Sequence, residues 1–389
     1  VSNLVAPHPF PARMAPELAL RALEHQRPGS NVLDPMCGSG TVLRTALAAG
    51  HHAIGVDMDP LAVLMASVWS RQGSVTGLTR AAEEVVETAK MLASDEVYLP
   101  WIDDNPETKK FIEFWFAEPQ RGELRRIAYV LNQMDGCFAD PLRLALSRII
   151  ITKKRGASLA HDVSHSRPHR VGITNDFLVS EGFCKAAMQI ERRLKGEVDS
   201  SAHVRLGDAR SMSFIAPQSI DLVVTSPPYL NAIDYLRGHR MALVWLGHRI
   251  DSLRQIRGSS VGAEKALKED PKGVYSLVQD TDVDSLSPRT LGILHRYARD
   301  MLEVASELHR VLRPESPAVL VVGNSTVRGT FVDNASVVRR ASEQMGFATH
   351  DISERELPTN RRYLPPPSAA GAALDLRMRK EVVLTMRKI

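Results

Sequence analysis

The sequence predicts an α/β fold, a mostly parallel, doubly wound sheet, and three observations carry that expectation. Short apolar strands alternate with helix-spaced segments near both ends of the chain. The first strand, Val32-Leu33-Asp34, runs into a glycine-containing turn, Pro35-Met36-Cys37-Gly38-Ser39-Gly40-Thr41, that opens a helix. A later apolar run, Ile220 to Val224, ends in the proline-stiffened tip Thr225-Ser226-Pro227-Pro228-Tyr229. Strand carboxyl ends are where open α/β sheets hold their chemistry.

The elements follow in order. Apolar positions recur at helical spacing from Met14 to Leu23, behind the punctuated segment His8-Pro9-Phe10-Pro11. A strand over Asn31 to Leu33 is followed by a helix from Thr41 to Ala49, which Gly50 ends. Ala53 to Val56 forms a second strand closing on Asp57, and Pro60 to Trp69 a further helix, with Asp59 as its N-cap. The alternation lapses over 73–200, which reads as an inserted, mainly helical recognition subdomain, and it resumes at His203 to Leu206. The core therefore divides between a first part, 1–72, and a second, 201–389, that carries the proline-stiffened tip. An irregular, partly mobile excursion is expected over 231–287, before a helix over Leu291 to Leu312, a strand over Ala318 to Val322, a helix over Ala335 to Met345 and two late apolar segments.

Bulk properties exclude several classes. A chain of 389 residues buries a sizeable core, and no apolar run reaches the ~20 residues that span a bilayer. With no charged-then-apolar leader, the expected location is the cytoplasm, with no membrane partner. Cys37, Cys137 and Cys184 have neither disulfide nor metal-ligand spacing, so no metal is expected. The net charge of +4 permits a polyanionic partner without requiring one.

The glycine turn narrows the cofactor. A dinucleotide fingerprint places a third glycine three positions after Gly40, where Leu43 stands. Asp34, just before the turn, would repel a pyrophosphate and suits a cationic amino group, which favours S-adenosylmethionine. Asp57 is placed to accept from ribose hydroxyls and Asp208, closing the third strand, from an adenine amino group. In the second tip, Ser226 and the Pro227 carbonyl can accept hydrogen bonds from an exocyclic amino group, drawing its nitrogen toward tetrahedral geometry and freeing its lone pair. Pro227 and Pro228 hold those acceptors still, and Tyr229 offers a flat face to an extruded base.

The pairing of Asp34-Pro35-Met36-Cys37-Gly38-Ser39-Gly40 with Ser226-Pro227-Pro228-Tyr229 resembles the amino-methyltransferases of DNA, and within them the cytosine-N4 branch, whose tetrapeptide starts with Ser. His8-Pro9-Phe10-Pro11 with Met14 to Leu23 is similar to that family's additional cofactor-contacting motif. The resemblance spans roughly 1–70 and 203–325 plus the last strand, and leaves the insertion uncovered. It implies a class I, Rossmann-like methyltransferase that flips a base out of double-stranded DNA. It also implies a cofactor site lined by His8, Pro9, Phe10, Asp34, Pro35, Met36, Cys37, Gly38, Gly40, Thr41, Asp57, Met58, Asp208 and Ala209, and a target seat made by Ser226 to Tyr229. Met36 replaces the family's usual phenylalanine, and Cys37 is no cytosine-C5 nucleophile, because no Pro-Cys dipeptide occurs. A cognate restriction endonuclease is compatible with this resemblance as a partner, and the sequence does not decide whether one exists. Adenine-N6 methylation, RNA base methylation and a non-catalytic DNA-binding role stay open as alternatives.

Between Arg148 and Arg170 six Lys or Arg (Arg148, Lys153, Lys154, Arg155, Arg167, Arg170) face one acid, Asp162, which suits a segment tracking phosphates. Arg237 and Arg240, close behind the catalytic tip, are a second DNA-contacting candidate, and Arg361-Arg362-Tyr363 a third.

Overall fold

A computed structural model describes residues 5–10, 13–152, 155–161, 168–194, 199–230, 234–263, 273–279, 286–327, 330–357 and 380–389. Seven strands form its main sheet: β1 (Asn31–Asp34), β2 (His52–Asp57), β3 (His203–Leu206), β4 (Leu222–Thr225), β5 (Pro317–Gly323), β6 (Phe347–Glu356) and β7 (Lys380–Lys388). Their spatial order is β6-β7-β5-β4-β1-β2-β3. Every pairing is parallel except the two made by β7, so only that strand runs against the rest.

This order creates one topological switch point. From β1 the chain winds outward through β2 to β3, then returns to lay β4 and β5 on the opposite side of β1. The connections leaving β1 and β4 thus diverge, and a crevice opens at their carboxyl ends. Val32 pairs with Leu222 and Leu33 with Val223, which brings the glycine turn and the proline tip side by side.

The helices cover the sheet as binary patterning requires. On one face Val32, Ala53, Leu222, Val224 and Val319 pack against α1 (Pro16–Leu23) and α2 (Thr41–Ala48). On the other, Leu33, Val56, Val223, Leu320 and Val322 pack under α12 (Pro288–Val311) and α13 (Asn334–Gln344). The fully buried β4 and nearly buried β5 explain their continuous apolar runs.

The inserted region is mainly helical: α4 (Leu78–Met91), α5 (Pro100–Asp103), α6 (Pro106–Trp115), α7 (Glu118–Asn132), α8 (Ala139–Ile150) and α9 (Val179–Arg193). A two-residue ladder between Ala160–His161 and His169–Arg170 is added to them. Its core is continuous with Leu61, Met65, Val68 and Trp69 of α3 (Pro60–Trp69). The division at 72/73 is therefore one of sequence pattern, and not of packing.

One expectation needs correcting. Part of the supposedly irregular excursion is regular: α10 (Tyr235–Leu243) and α11 (Ile250–Ser259) are helices. Leu236, Met241, Ala242 and Leu243 give α10 an apolar stripe, and the wholly buried Trp245 follows it into the insertion's core. Trp245 meets Phe116 edge-on at 5.0 Å, while the Trp101 indole N–H donates to the Val244 carbonyl at 2.8 Å. Within the same excursion, 231–233, 264–272 and 280–285 lie outside the described residues.

Candidate active site

Asp34 ends β1 and Thr225 ends β4. The Thr225 hydroxyl donates to the Asp34 carboxylate at 2.7 Å, and the Met36 amide donates to the same oxygen at 3.2 Å. Asp34 is buried, and desolvation pushes its carboxyl up to about 7 against these two hydrogen bonds. A buried carboxylate so incompletely compensated is suited to a cationic group.

The glycine turn is pressed from two sides. Gly38 has φ +49°, and a Cβ there would lie 3.0 Å from the Phe10 ring; Gly40 has φ +86°, and a Cβ there would lie 2.9 Å from the Ala66 backbone. Only glycine combines those dihedrals with such close approach. Asp57, at the end of β2, accepts from the Gly38 amide at 2.8 Å and from the Asp59 amide at 2.9 Å. Burial, with Asp59 nearby, pushes Asp57 up to about 6. The Ser39 hydroxyl, buried in this turn, has no hydrogen-bond partner among the described residues. Together these features fit S-adenosylmethionine: a carboxylate for its ammonium, acceptor lone pairs at the second strand end, and a backbone cradle between.

His8 and Pro9 border a small cavity with Leu61, Ser147, Gly238 and His239. Phe10 covers Gly38 and stacks on Tyr235 of α10, with ring centroids 4.9 Å apart and planes 13° apart. His239, one turn further along α10, lies 5.7 Å from the Phe10 ring and bonds Asp59 at 2.5 Å. Asp59 also caps α3 as expected, accepting from the Leu61 amide at 2.9 Å. The segment is held from outside by Arg193, which donates to the Ala6 carbonyl at 3.0 Å, and by Arg148, which donates to the Pro7 carbonyl.

Several predicted cofactor residues play narrower parts. The Cys37 side chain is buried in the core beside Gly55 and Leu43, and burial raises its thiol far above the usual range, so only its backbone faces the turn. Asp208 is gripped by Arg210, whose Nε and Nη2 donate to it at 3.0 and 2.7 Å, while Arg210 Nη1 reaches Asp300 at 2.6 Å. Ala209 is buried in the core, Pro35 and Thr41 are buried in the turn, and Met36 and Met58 are half-buried at the tips of β1 and β2.

At the other tip, Ser226 donates its hydroxyl proton to the Val321 carbonyl at 2.9 Å, leaving its lone pairs to accept. Its oxygen lies 3.3 Å from the Tyr229 hydroxyl, which donates to Glu381 of β7 at 3.2 Å. Burial first, and then the Glu381 charge, push the Tyr229 phenol well above its usual range. Pro227 is buried, while Pro228 and Tyr229 are half-buried.

The basic candidates separate. Arg148 is structural: besides the Pro7 carbonyl it holds Gln189 at 2.7 Å, and burial beside Arg193 pushes it down to about 10. Arg155 is exposed and paired with Asp176 at 2.6 Å, and Arg170 lies 4.8 Å over the Phe114 ring. Lys153, Lys154, Arg167 and the Arg361-Arg362-Tyr363 segment lie outside the described residues. Arg237 and Arg257 converge on Asp234, at 3.6 and 2.6 Å. Arg240, 5.2 Å over the Phe111 ring, is pushed down by burial and then by the charge of Arg257. Two guanidinium groups thus share one carboxylate five residues beyond Tyr229, and Arg240 lies within their electrostatic reach.

Sequence reasoning missed Glu381, Arg355, Arg257 and the Asp59–His239 pair. None carries a local signal, because each is far in sequence from the group it serves. Thr225 was part of the tip, but its bond to Asp34 follows only from strand order.

A family model for DNA methylases matches residues 3–67, which include the amino-terminal segment, the glycine turn and β2. The Type II methyltransferase M.MjaII of Methanocaldococcus jannaschii is 30% identical over 365 residues, covering 70% of this chain and 68% of its own. The Type II methyltransferase M.MvaI of Kocuria varians is 26% identical over 363 residues, covering 82% of this chain and 77% of its own. A TehB-like SAM-dependent methyltransferase from Corynebacterium glutamicum overlaps 96% of this chain and 87% of its own at 9% identity and a TM-score of 0.32. The switch-point crevice, the acid-flanked glycine turn beneath Phe10, the family match and the two Type II relatives lead to one assignment: the chain belongs to the DNA amino-methyltransferases, whose methyl donor is S-adenosylmethionine.

Proposed function

We propose that this chain methylates N4 of a cytosine flipped out of duplex DNA, with Ser226 and the Pro227 carbonyl as acceptors for the amino group. The observation that supports it best is the 2.7 Å bond from Thr225 to Asp34, which joins the cofactor tip to the target tip. S-adenosylmethionine, when bound, supplies an electrophilic methyl group. Asp34 would hold its ammonium, and the turn at Gly38 to Gly40 under Phe10 would cradle it beside the second tip. Ser226 keeps its own proton on the Val321 carbonyl, so its free lone pairs attract an amino proton of the base. The two prolines hold these acceptors in place before the reaction, so little reorganisation opposes it. The choice of cytosine rests on Ser at the head of the tetrapeptide.

The convergence of Arg237 and Arg257 on Asp234, with Arg240 close by, suits a phosphate of the bound strand, and the insertion, packed against α10, is the target-recognition region. A restriction endonuclease cutting the same sequence belongs to the same reading. Incubation with labelled cofactor and unmethylated genomic DNA, followed by nucleoside analysis, tests all of this. N4-methylcytosine at one sequence is the expected product, N6-methyladenine would replace the cytosine assignment, and label in RNA alone would overturn the reading. Ser226→Ala should lower kcat by about 10²- to 10³-fold with cofactor affinity unchanged; equal turnover would remove Ser226 from the mechanism.

A further inference from the structure

The target tip is supported from a strand that neither predicted motif includes. Glu381 opens β7, directly opposite Gly323 of β5 on one side and Arg355 of β6 on the other. Its Oε1 accepts from the Tyr229 hydroxyl at 3.2 Å, and its Oε2 accepts from Arg355 Nε at 2.9 Å. Arg355 in turn lies 3.7 Å from Glu17 of α1. The Glu381 and Arg355 side chains are 13% and 21% exposed, which makes the pair better shielded than most ion pairs on this protein.

On this basis, and resting on the reading above, we propose that Glu381 is a positioning residue for the target base, held by Arg355 and acting through Tyr229. A tyrosine ring turns about two side-chain torsions, and a hydrogen bond at its far end fixes both. With the phenol proton directed at Glu381, the ring that borders the base seat has one preferred plane, and its oxygen stays 3.3 Å from Ser226. A charged acceptor makes that bond stronger than a neutral one. The two tip residues, Ser226 and Tyr229, are thereby set as a unit by a carboxylate 152 residues away in the chain.

The test is a double-mutant cycle on methylation of unmethylated DNA, with kcat and KM measured separately and cofactor affinity measured by calorimetry. Glu381→Ala and Tyr229→Phe should each lower kcat/KM for DNA by about tenfold, the value of one charge-assisted hydrogen bond. Cofactor affinity should not change. The double variant should be no worse than either single one, because both remove the same bond. Glu381→Gln keeps an acceptor oxygen in reach and should retain most of the activity. Independent losses that multiply in the double variant would overturn the inference. So would a Glu381→Gln variant as impaired as Glu381→Ala, since the Arg355 ion pair would then be the whole role. If Glu381→Ala does not fold, the comparison of Glu381→Gln with Tyr229→Phe still decides. Absence of methylation by the wild-type protein would instead sink the reading on which this rests.

Discussion

At the scale of single residues, two carboxylates at strand ends, Asp34 buried and Asp57 half-buried, are only partly compensated by the protein. Asp34 and Asp57 rise to about 7 and about 6 because desolvation outweighs their hydrogen bonds. The sign is definite: a carboxyl raised above its ordinary value of 3.8 binds its proton more tightly in the folded chain than in the unfolded one. Its contribution to stability is therefore present at low pH and is lost as pH rises through about 7. Cofactor binding runs the other way, since an ammonium selects the ionised form. Affinity should fall by up to about tenfold for each pH unit below the Asp34 midpoint, a loss titrated by calorimetry. Asp34→Asn should bind the cofactor weakly at every pH, with the dependence in this window reduced, while being no less stable than wild type at pH 8 by thermal melting. An unchanged pH profile in that variant would show that another group governs binding.

Single elements matter most in α10, which touches three parts of the site. Its first residue stacks on Phe10 above the glycine turn, His239 in its second turn meets Asp59, and Arg237 joins Arg257 of α11 on Asp234, with Arg240 within electrostatic reach of both. Three cations against one anion leave a local excess that duplex phosphates can neutralise. Arg257→Gln should weaken binding to any duplex about equally and lower the slope of log affinity against log salt by about 1. Asp234→Asn should act in the opposite sense and tighten non-specific binding. A salt slope unchanged in Arg257→Gln would remove this cluster from the DNA interface. Arg148 shows why composition misleads at this scale. It belongs to the most basic stretch of the chain, yet it is spent on the Pro7 carbonyl and Gln189, while Arg257, in a stretch that attracts no notice, pairs with Asp234.

For the molecule as a whole, the insertion and the sheet share a core. Trp245, entirely buried, follows α10 directly and sits among insertion side chains that also contact α3. Such a core predicts one cooperative melting transition in calorimetry, and two resolved peaks would show that the insertion folds by itself. Trp245→Ala should cost about 3–5 kcal/mol through lost burial and the remaining cavity. It should lower that transition as a unit.

How far the sequence reaches can be judged from particular residues. The strand-turn-helix at Val32 to Thr41 and the apolar run ending at Thr225 were legible because hydrophobic period, glycine and proline act over a few residues. The Phe10 segment was legible only through resemblance, since nothing local marks a phenylalanine that will cover a glycine turn. The helices α10 and α11 were missed because Gly, Lys and Asp clusters flanking them masked a short amphipathic stripe. By itself, then, the sequence determined the alternating elements, the two tips and the residue types needed for methyl transfer to an amino group. Tertiary structure alone decided that β4 returns beside β1, that Asp34 meets Thr225 there, and that Glu381 of the antiparallel β7 reaches Tyr229. The physical reason is that strand order and side-chain desolvation depend on contacts between distant segments, and no local pattern encodes which distant segment arrives.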